Sequence, residues 1–169
     1  MRVLFLDLDG VVNSHDWFRR RVTEQPTGNY FERQIDPQAI VLLNEIIEAT
    51  GAKIVISSTW RKNHTLEELR AGLSSRGFCG DIIDVTGEDL SAIRGREIQK
   101  WLDDNAVHLD KYLDEPDIIK RFAIVDDDSD MEHLLPHLIQ TNFELGLTAI
   151  VASKIIAHLR FSNLAGEPE

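Results

Sequence analysis

The sequence predicts an α/β fold, a doubly wound parallel sheet with helices on both faces. Three observations carry that expectation. Short apolar runs alternate with helical patterns along the chain. The run from Val3 to Leu8 is apolar except at Asp7, as a strand buried on both faces requires. Two further runs, Lys53 to Ser57 and Phe122 to Val125, share that character and belong beside it in the sheet centre. A chain of 169 residues fits one domain, 1–169, with enough length to bury a core of several strands and helices.

Taken in order, the first strand gives way to a polar stretch from Asn13 to Gln34. Pro26, Thr27, Gly28 and Asn29 supply its turn signals, so a short flap insert is expected around 14–35. Asp36 and Pro37 start a helix as N-cap and first-turn proline. Its buried stripe runs through Ile40, Leu43 and Ile47, and Gly51 closes it. After the Lys53 strand, Thr65 and Glu68 form a capping box for a helix reaching about Arg76 and ended by Gly77. Asp81 to Val85 reads as a short strand, and Arg94 to Asn105 as a helix with Ile98, Trp101 and Leu102 on one face. The Phe122 strand ends in the acids Asp126, Asp127, Asp128 and Asp130. His137 to Thr141 offers another strand. A last helix begins near Thr148, burying Ile150, Val151, Ile155 and Leu159, with a fraying tail after Asn163.

The net charge of -11 argues against sequence-blind nucleic-acid binding, which needs Lys and Arg to neutralise phosphates. Arg19, Arg20 and Arg21 form one short basic run, read as a solvated loop. The single cysteine, Cys79, excludes an intramolecular disulfide and suits a reducing compartment. No segment has the roughly 18 apolar residues of a membrane span. The apolar run at the N-terminus is broken at once by Asp7 and Asp9, so no signal peptide and a cytoplasmic location are expected.

Three strands end in polar groups: Asp7 and Asp9, Ser57 and Ser58, then Asp126 and Asp127. The carboxyl ends of neighbouring parallel strands line one crevice where ligands bind. Carboxylates converging there repel one another and need a cation to stay ionised together. Oxygen ligands without a His or Cys pattern point to a hard ion such as Mg2+. His133 and His137 have i, i+4 spacing, but Pro136 lies between them and no third ligand is evident, so they are read as structural. Trp60 and Trp101 are read as core or rim aromatics.

The string Asp7-Leu8-Asp9-Gly10-Val11-Val12 resembles the first signature of the haloacid dehalogenase superfamily. Ile54-Val55-Ile56-Ser57 resembles its second, and Ile124-Val125-Asp126-Asp127 its fourth. The stretches Ser57 to Arg61 and Asp126 to Met131 look more narrowly like the phosphatase-like domains of RNA-repair proteins. The resemblance spans roughly Val3 to Thr141 and implies a Rossmann-like, nearly capless phosphatase that takes Mg2+.

It further implies roles. Asp7 is the expected nucleophile, becoming an aspartyl phosphate, and Asp9 the expected proton carrier. Gly10 allows a sharp turn beside the phosphate. Ser57, with backbone groups near Ser58, grips phosphoryl oxygens. The metal ligands map onto the Asp7 carboxylate, the Asp9 carbonyl and an acid of the third strand. Asp127 is preferred for that acid, with Asp126 or Asp130 behind it. The third signature is usually a lysine; here Arg94, before Gly95, stands in its place, with Arg96 and Lys100 as alternatives.

The expected substrate is a phosphorylated small molecule or nucleic-acid end. The RNA-repair resemblance favours the latter, and the acidic balance cuts against its tight binding. The competing expectation is a catalytically silent domain of regulatory or interaction type. Intact Asp7 and Asp9 favour the enzyme. Oligomeric state is not legible.

Overall fold

The computed structural model describes residues 1–90, 92–106 and 121–161. Five parallel strands form one sheet: β1 (Arg2–Leu6), β2 (Lys53–Ile56), β3 (Ile82–Val85), β4 (Arg121–Asp126) and β5 (Leu138–Gln140). Their order across the sheet is β3-β2-β1-β4-β5, so the Lys53 and Phe122 strands flank β1 on opposite sides as expected. From β1 the chain steps outward through β2 to β3, then returns to the other side for β4 and β5. The reversal falls between β1 and β4, where open α/β sheets open a crevice at their carboxyl ends.

Alternation along β1 fills two cores. Leu4 and Leu6 join Ile54, Ile56, Ala123 and Val125 in one buried cluster. That cluster is completed by α3 (Pro37–Thr50), α4 (Leu66–Ser75) and α6 (Ala149–Phe161), through side chains such as Leu43, Leu69 and Ile155. Val3 and Phe5 point the other way, with Val55, Phe122 and Ile124, onto α5 (Arg94–Ala106) and the 3₁₀ turn Glu132–His137. Trp101 of α5 meets Phe5 edge-on, ring centres 5.4 Å apart. A strand buried on both faces is apolar along its middle and carries polar residues only at its ends, which is why the first carboxylate is Asp7.

The helix ends follow their local chemistry. Asp36 accepts from the Gln38 N–H ahead of Pro37, and Gly51 ends α3 in the left-handed region at φ 64°. Thr65 and Glu68 cap α4 reciprocally. The polar stretch after β1 departs from expectation. It is not loop but two helices, α1 (His15–Glu24) and α2 (Tyr30–Gln34). Ser14 caps α1 by accepting from the Trp17 N–H, and Asn29 with Glu32 makes a capping box on α2. The fully buried Trp17 anchors the pair, its indole N–H donating to the Arg33 carbonyl at 3.2 Å. One buried tryptophan in a polar segment has no periodicity to announce it. Arg19 to Arg21 therefore lie on a helix. The expected fraying after Asn163 falls outside the described residues.

Candidate active site

The site grows from the ends of β1, β2 and β4. Sheet hydrogen bonding runs one residue past the strands: the Asp7 N–H donates to the Val125 carbonyl at 3.0 Å and the Ser57 N–H to the Leu6 carbonyl at 2.9 Å. Both functional backbones are thereby fixed to the central ladder. The chain then bends at Gly10, at φ 68°. Here the missing Cβ matters, because one built at Gly10 would lie 2.4 Å from Cγ of Asp127. Thr141 holds the bend from the far side, its hydroxyl donating to the Gly10 carbonyl at 2.7 Å.

Asp7, Asp126 and Asp127 each present an oxygen to a common point, all within 4.8 Å of one another. Arg94 joins them from the start of α5, with Nη1 3.2 Å from Asp7 Oδ1 and 3.3 Å from Asp126 Oδ2. Of the three basic alternatives, Arg94 is the one brought to the carboxylates. Arg96 pairs with Glu132 and Lys100 with Asp104, both outside the cluster. Asp130 serves the cluster indirectly: its Oδ2 accepts from the Arg94 N–H at 2.9 Å and so seats the start of α5.

Burial makes the three carboxylates resist ionising together. Burial raises the Asp7 carboxyl above the usual carboxylate range, against the pull of Arg94 and hydrogen bonds from Ser58 and Leu8. Burial, then the Asp7 charge, pushes Asp126 up to about 7. Asp127 is raised by burial and by the charges of Asp128 and Asp9. For Arg94, the attraction of Asp7 and Asp126 outweighs burial and holds the guanidinium charged.

Three carboxylates against one guanidinium leave two negative charges, which one divalent cation would neutralise. The donors fit such an ion. They are oxygens only, and the buried Asp126 Oδ2 has, among the described residues, the Arg94 ion pair but no hydrogen bond. The cluster could therefore hold a divalent metal. Asp126 and Asp127 both reach it, because the Asp128 N–H turns back onto Asp126 Oδ1 at 2.9 Å and folds the chain around the strand end.

Asp9 is held at both oxygens. Asn13 Nδ2 donates to Oδ1 at 2.7 Å, and the Trp60 indole N–H donates to Oδ2 at 2.8 Å. Trp60 is thus more than the rim aromatic the sequence suggested, and Asn13 went unnoticed. Ser57 is buried, and among the described residues its hydroxyl has no hydrogen-bond partner. Ser58 faces Asp7 and caps the 3₁₀ turn Thr59–Lys62.

Beneath this loop lies a buried ion pair that sequence reasoning missed. Arg61 Nη2 meets Glu97 Oε2 at 2.6 Å, with side chains 3% and 4% exposed. Arg61 Nη1 also donates to the carbonyls of Ser57 and Ser58 at 2.6 and 2.7 Å. Glu97 lies 3.8 Å from Arg94 Nε as well. One carboxylate therefore links the serine loop to the arginine at the cluster. The only sequence signal was Glu97 standing three residues after Arg94, on the same helix face.

The two histidines lie apart in their contacts. His133 meets Gln99, while His137 stacks on Phe122 and meets His158. Trp101 donates to Asp84 at 2.7 Å. Cys79 is exposed and free. Among the described residues, no helix is long and apolar enough to cross a membrane.

A family model described as the HAD domain in Swiss Army Knife RNA repair proteins matches residues 3–152. No curated protein and no solved structure gives a significant match.

Proposed function

Since the chain belongs to the family of HAD domains in Swiss Army Knife RNA repair proteins, we propose that it is a magnesium-dependent phosphomonoesterase working through an aspartyl phosphate on Asp7. The observation that carries this reading is Asp7 itself. It is a nearly buried carboxylate at the end of the central strand, beside two further carboxylates and one guanidinium.

Asp7 Oδ attacks phosphorus, and the bond to the leaving oxygen breaks as the new one forms. Asp9 gives its proton to that leaving oxygen, so the alcohol departs neutral. Water then attacks the phosphoryl group, Asp9 takes the water's proton, and the bond to Asp7 breaks to release inorganic phosphate. Asn13 and Trp60 hold the Asp9 side chain in place. The Ser57 hydroxyl, without a partner among the described residues, has a proton to donate to a phosphoryl oxygen, and Arg94 offsets charge beside Asp7. When bound at Asp7, the Asp9 carbonyl and Asp127, with Asp126 adjoining, magnesium supplies the positive charge that lets one anion approach another. The substrate class is a phosphorylated molecule such as a nucleic-acid end.

The test is a panel of phosphomonoesters, including 3′- and 5′-phosphorylated oligonucleotides, assayed with magnesium and with chelator. Magnesium-dependent release of inorganic phosphate, lost in Asp7→Asn, is the expected result. Phosphate release that survives Asp7→Asn, or none from any substrate, would return the chain to a regulatory role.

A further inference from the structure

The basic run Arg19-Arg20-Arg21 meets three different fates on α1. Arg19 pairs with Glu144 at 2.6 Å. Arg20 is saturated by Asp16, Glu24 and Asp36. Arg21 has no carboxylate partner among the described residues. It lies over the Phe18 ring at 4.5 Å and donates to Gln34 Oε1 at 2.9 Å and, more loosely, to the Arg33 carbonyl at 3.4 Å. Arg33, on α2, is exposed, and it too has no carboxylate partner among the described residues.

These two guanidiniums line one cleft together with Val22, Gln25, Pro26 and Tyr30. A second cleft, lined by Asp9, Thr59, Trp60, Lys62, Asn63 and His64, shares Tyr30 and Gln34 with the first. The two clefts are neighbours, meeting at Tyr30 and Gln34; taken as one groove, Asp9 lines one half and Arg21 and Arg33 the other. Asp9 is the only acid among the described residues lining the two clefts, in a chain with 29 acidic residues against 18 basic ones. Across such a surface, a groove whose one carboxylate is Asp9, and whose Arg21 and Arg33 have no carboxylate partner among the described residues, is a local anion track. Tyr30, 75% exposed and present in both clefts, adds an aromatic face midway.

We infer that this groove binds the leaving-group side of the substrate, with Arg21 and Arg33 taking an internal phosphodiester and Tyr30 stacking a base. The substrate is then an oligonucleotide end rather than an isolated phosphomonoester. The planar fork of arginine matches two phosphate oxygens at once. An aromatic face stacks any base without reading sequence. Asp9, the group assigned to protonate the leaving oxygen, lines the groove, so the leaving group must occupy it. The inference rests on the phosphomonoesterase reading above, and it reconciles an acidic protein with a polyanionic substrate. Attraction is confined to one groove, and the remaining surface repels.

The experiment compares kcat/KM for an aryl monophosphate, a mononucleotide monophosphate and a phosphorylated dinucleotide with one internal phosphodiester. The wild type should favour the dinucleotide over the mononucleotide by about tenfold to a hundredfold, the range of one charged hydrogen-bonding contact. Arg21→Gln/Arg33→Gln should erase that ratio, and Arg33→Gln alone should lower it. Arg33 is exposed, so its substitution does not threaten the fold.

A binding measurement separates this inference from the catalytic one. With Asp7→Asn protein, a fluorescent phosphorylated oligonucleotide should bind at least tenfold more tightly than to the same protein lacking both arginines. Its salt dependence should be shallower in the latter, by about 0.7 in log-log slope per lost phosphate contact. If the wild type turns nothing over yet this binding difference holds, the catalytic reading fails and the groove stands. Equal rates for mononucleotide and dinucleotide would overturn the groove. So would equal affinity for a phosphopeptide of matched charge, or arginine variants that leave oligonucleotide binding intact.

Discussion

Glu97→Gln should cost the protein more stability than any change of surface charge. The substitution keeps shape and removes one negative charge, leaving Arg61 buried without its counter-ion. Arg61 is 3% exposed and spends its guanidinium on Glu97 at 2.6 Å and on the Ser57 and Ser58 carbonyls. Breaking one partner of a buried pair costs about 3–5 kcal/mol. For a chain of this length each kcal/mol lowers Tm by about 2–4 °C, so a fall on the order of 10 °C is expected. Arg61→Met should cost a similar amount, because it leaves Glu97 only the longer contact with Arg94 and releases the two carbonyls.

The double variant Arg61→Met/Glu97→Leu should lose clearly less than the sum of the two single losses, since no unpaired charge remains. Urea unfolding of the wild type, the two single variants and the double variant closes the cycle. Glu97→Gln within about 1 kcal/mol of wild type, or strictly additive losses, would refute the reasoning. A second readout follows from the carbonyl contacts. Arg61→Lys keeps the charge but loses the fork, so KM for a phosphomonoester should rise as Ser57 shifts.

Three further outcomes follow from the same geometry. Asp9→Asn keeps the nucleophile but removes the proton carrier, and should lower kcat by on the order of a hundred- to ten-thousandfold; Asp7→Asn should exceed that loss, and comparable wild-type rates in both would place the chemistry elsewhere. Gly10→Ala puts a side chain at φ 68° and against Asp127, costing about 1–2 kcal/mol and raising the magnesium concentration needed for half-maximal turnover; an unchanged magnesium titration would contradict it. With chelator present, Asp126 should make the protein less stable as pH rises. Its folded pKa is raised to about 7 from 3.8, so the folded state holds the proton more tightly, and that stability is lost as pH climbs through about 7. Melting scans at pH 5 and 8 should show the fall in wild type and a smaller one in Asp126→Asn; equal slopes would remove Asp126 as the cause.

Much of the framework was determined by local sequence. Continuous apolar runs can only be strands buried on both faces, so β1, β2 and β4 were legible, as was the order that centres β1. The Thr65 box, the Asp36 cap and the Gly51 terminus act within one helical turn, and each formed where its residues stood. Asp7, Asp9, Ser57 and Asp126 stand at or just past strand ends, so their meeting at one end of the sheet followed from parallel order.

Tertiary structure decided whatever joins residues with no local relation. Trp60 reaches Asp9 from 51 positions away, and Arg61 reaches Glu97 from 36. Nothing in either neighbourhood marks an indole as a donor to a carboxylate, or an arginine as the buried half of an ion pair. The same holds for α1, whose one buried tryptophan leaves no apolar stripe, and for the groove, which exists only because that helix and α2 set Arg21 beside Arg33. Sequence periodicity records which face of an element is buried. Partners across the sheet ends are chosen by packing, which brought Arg94 against both Asp7 and Asp126.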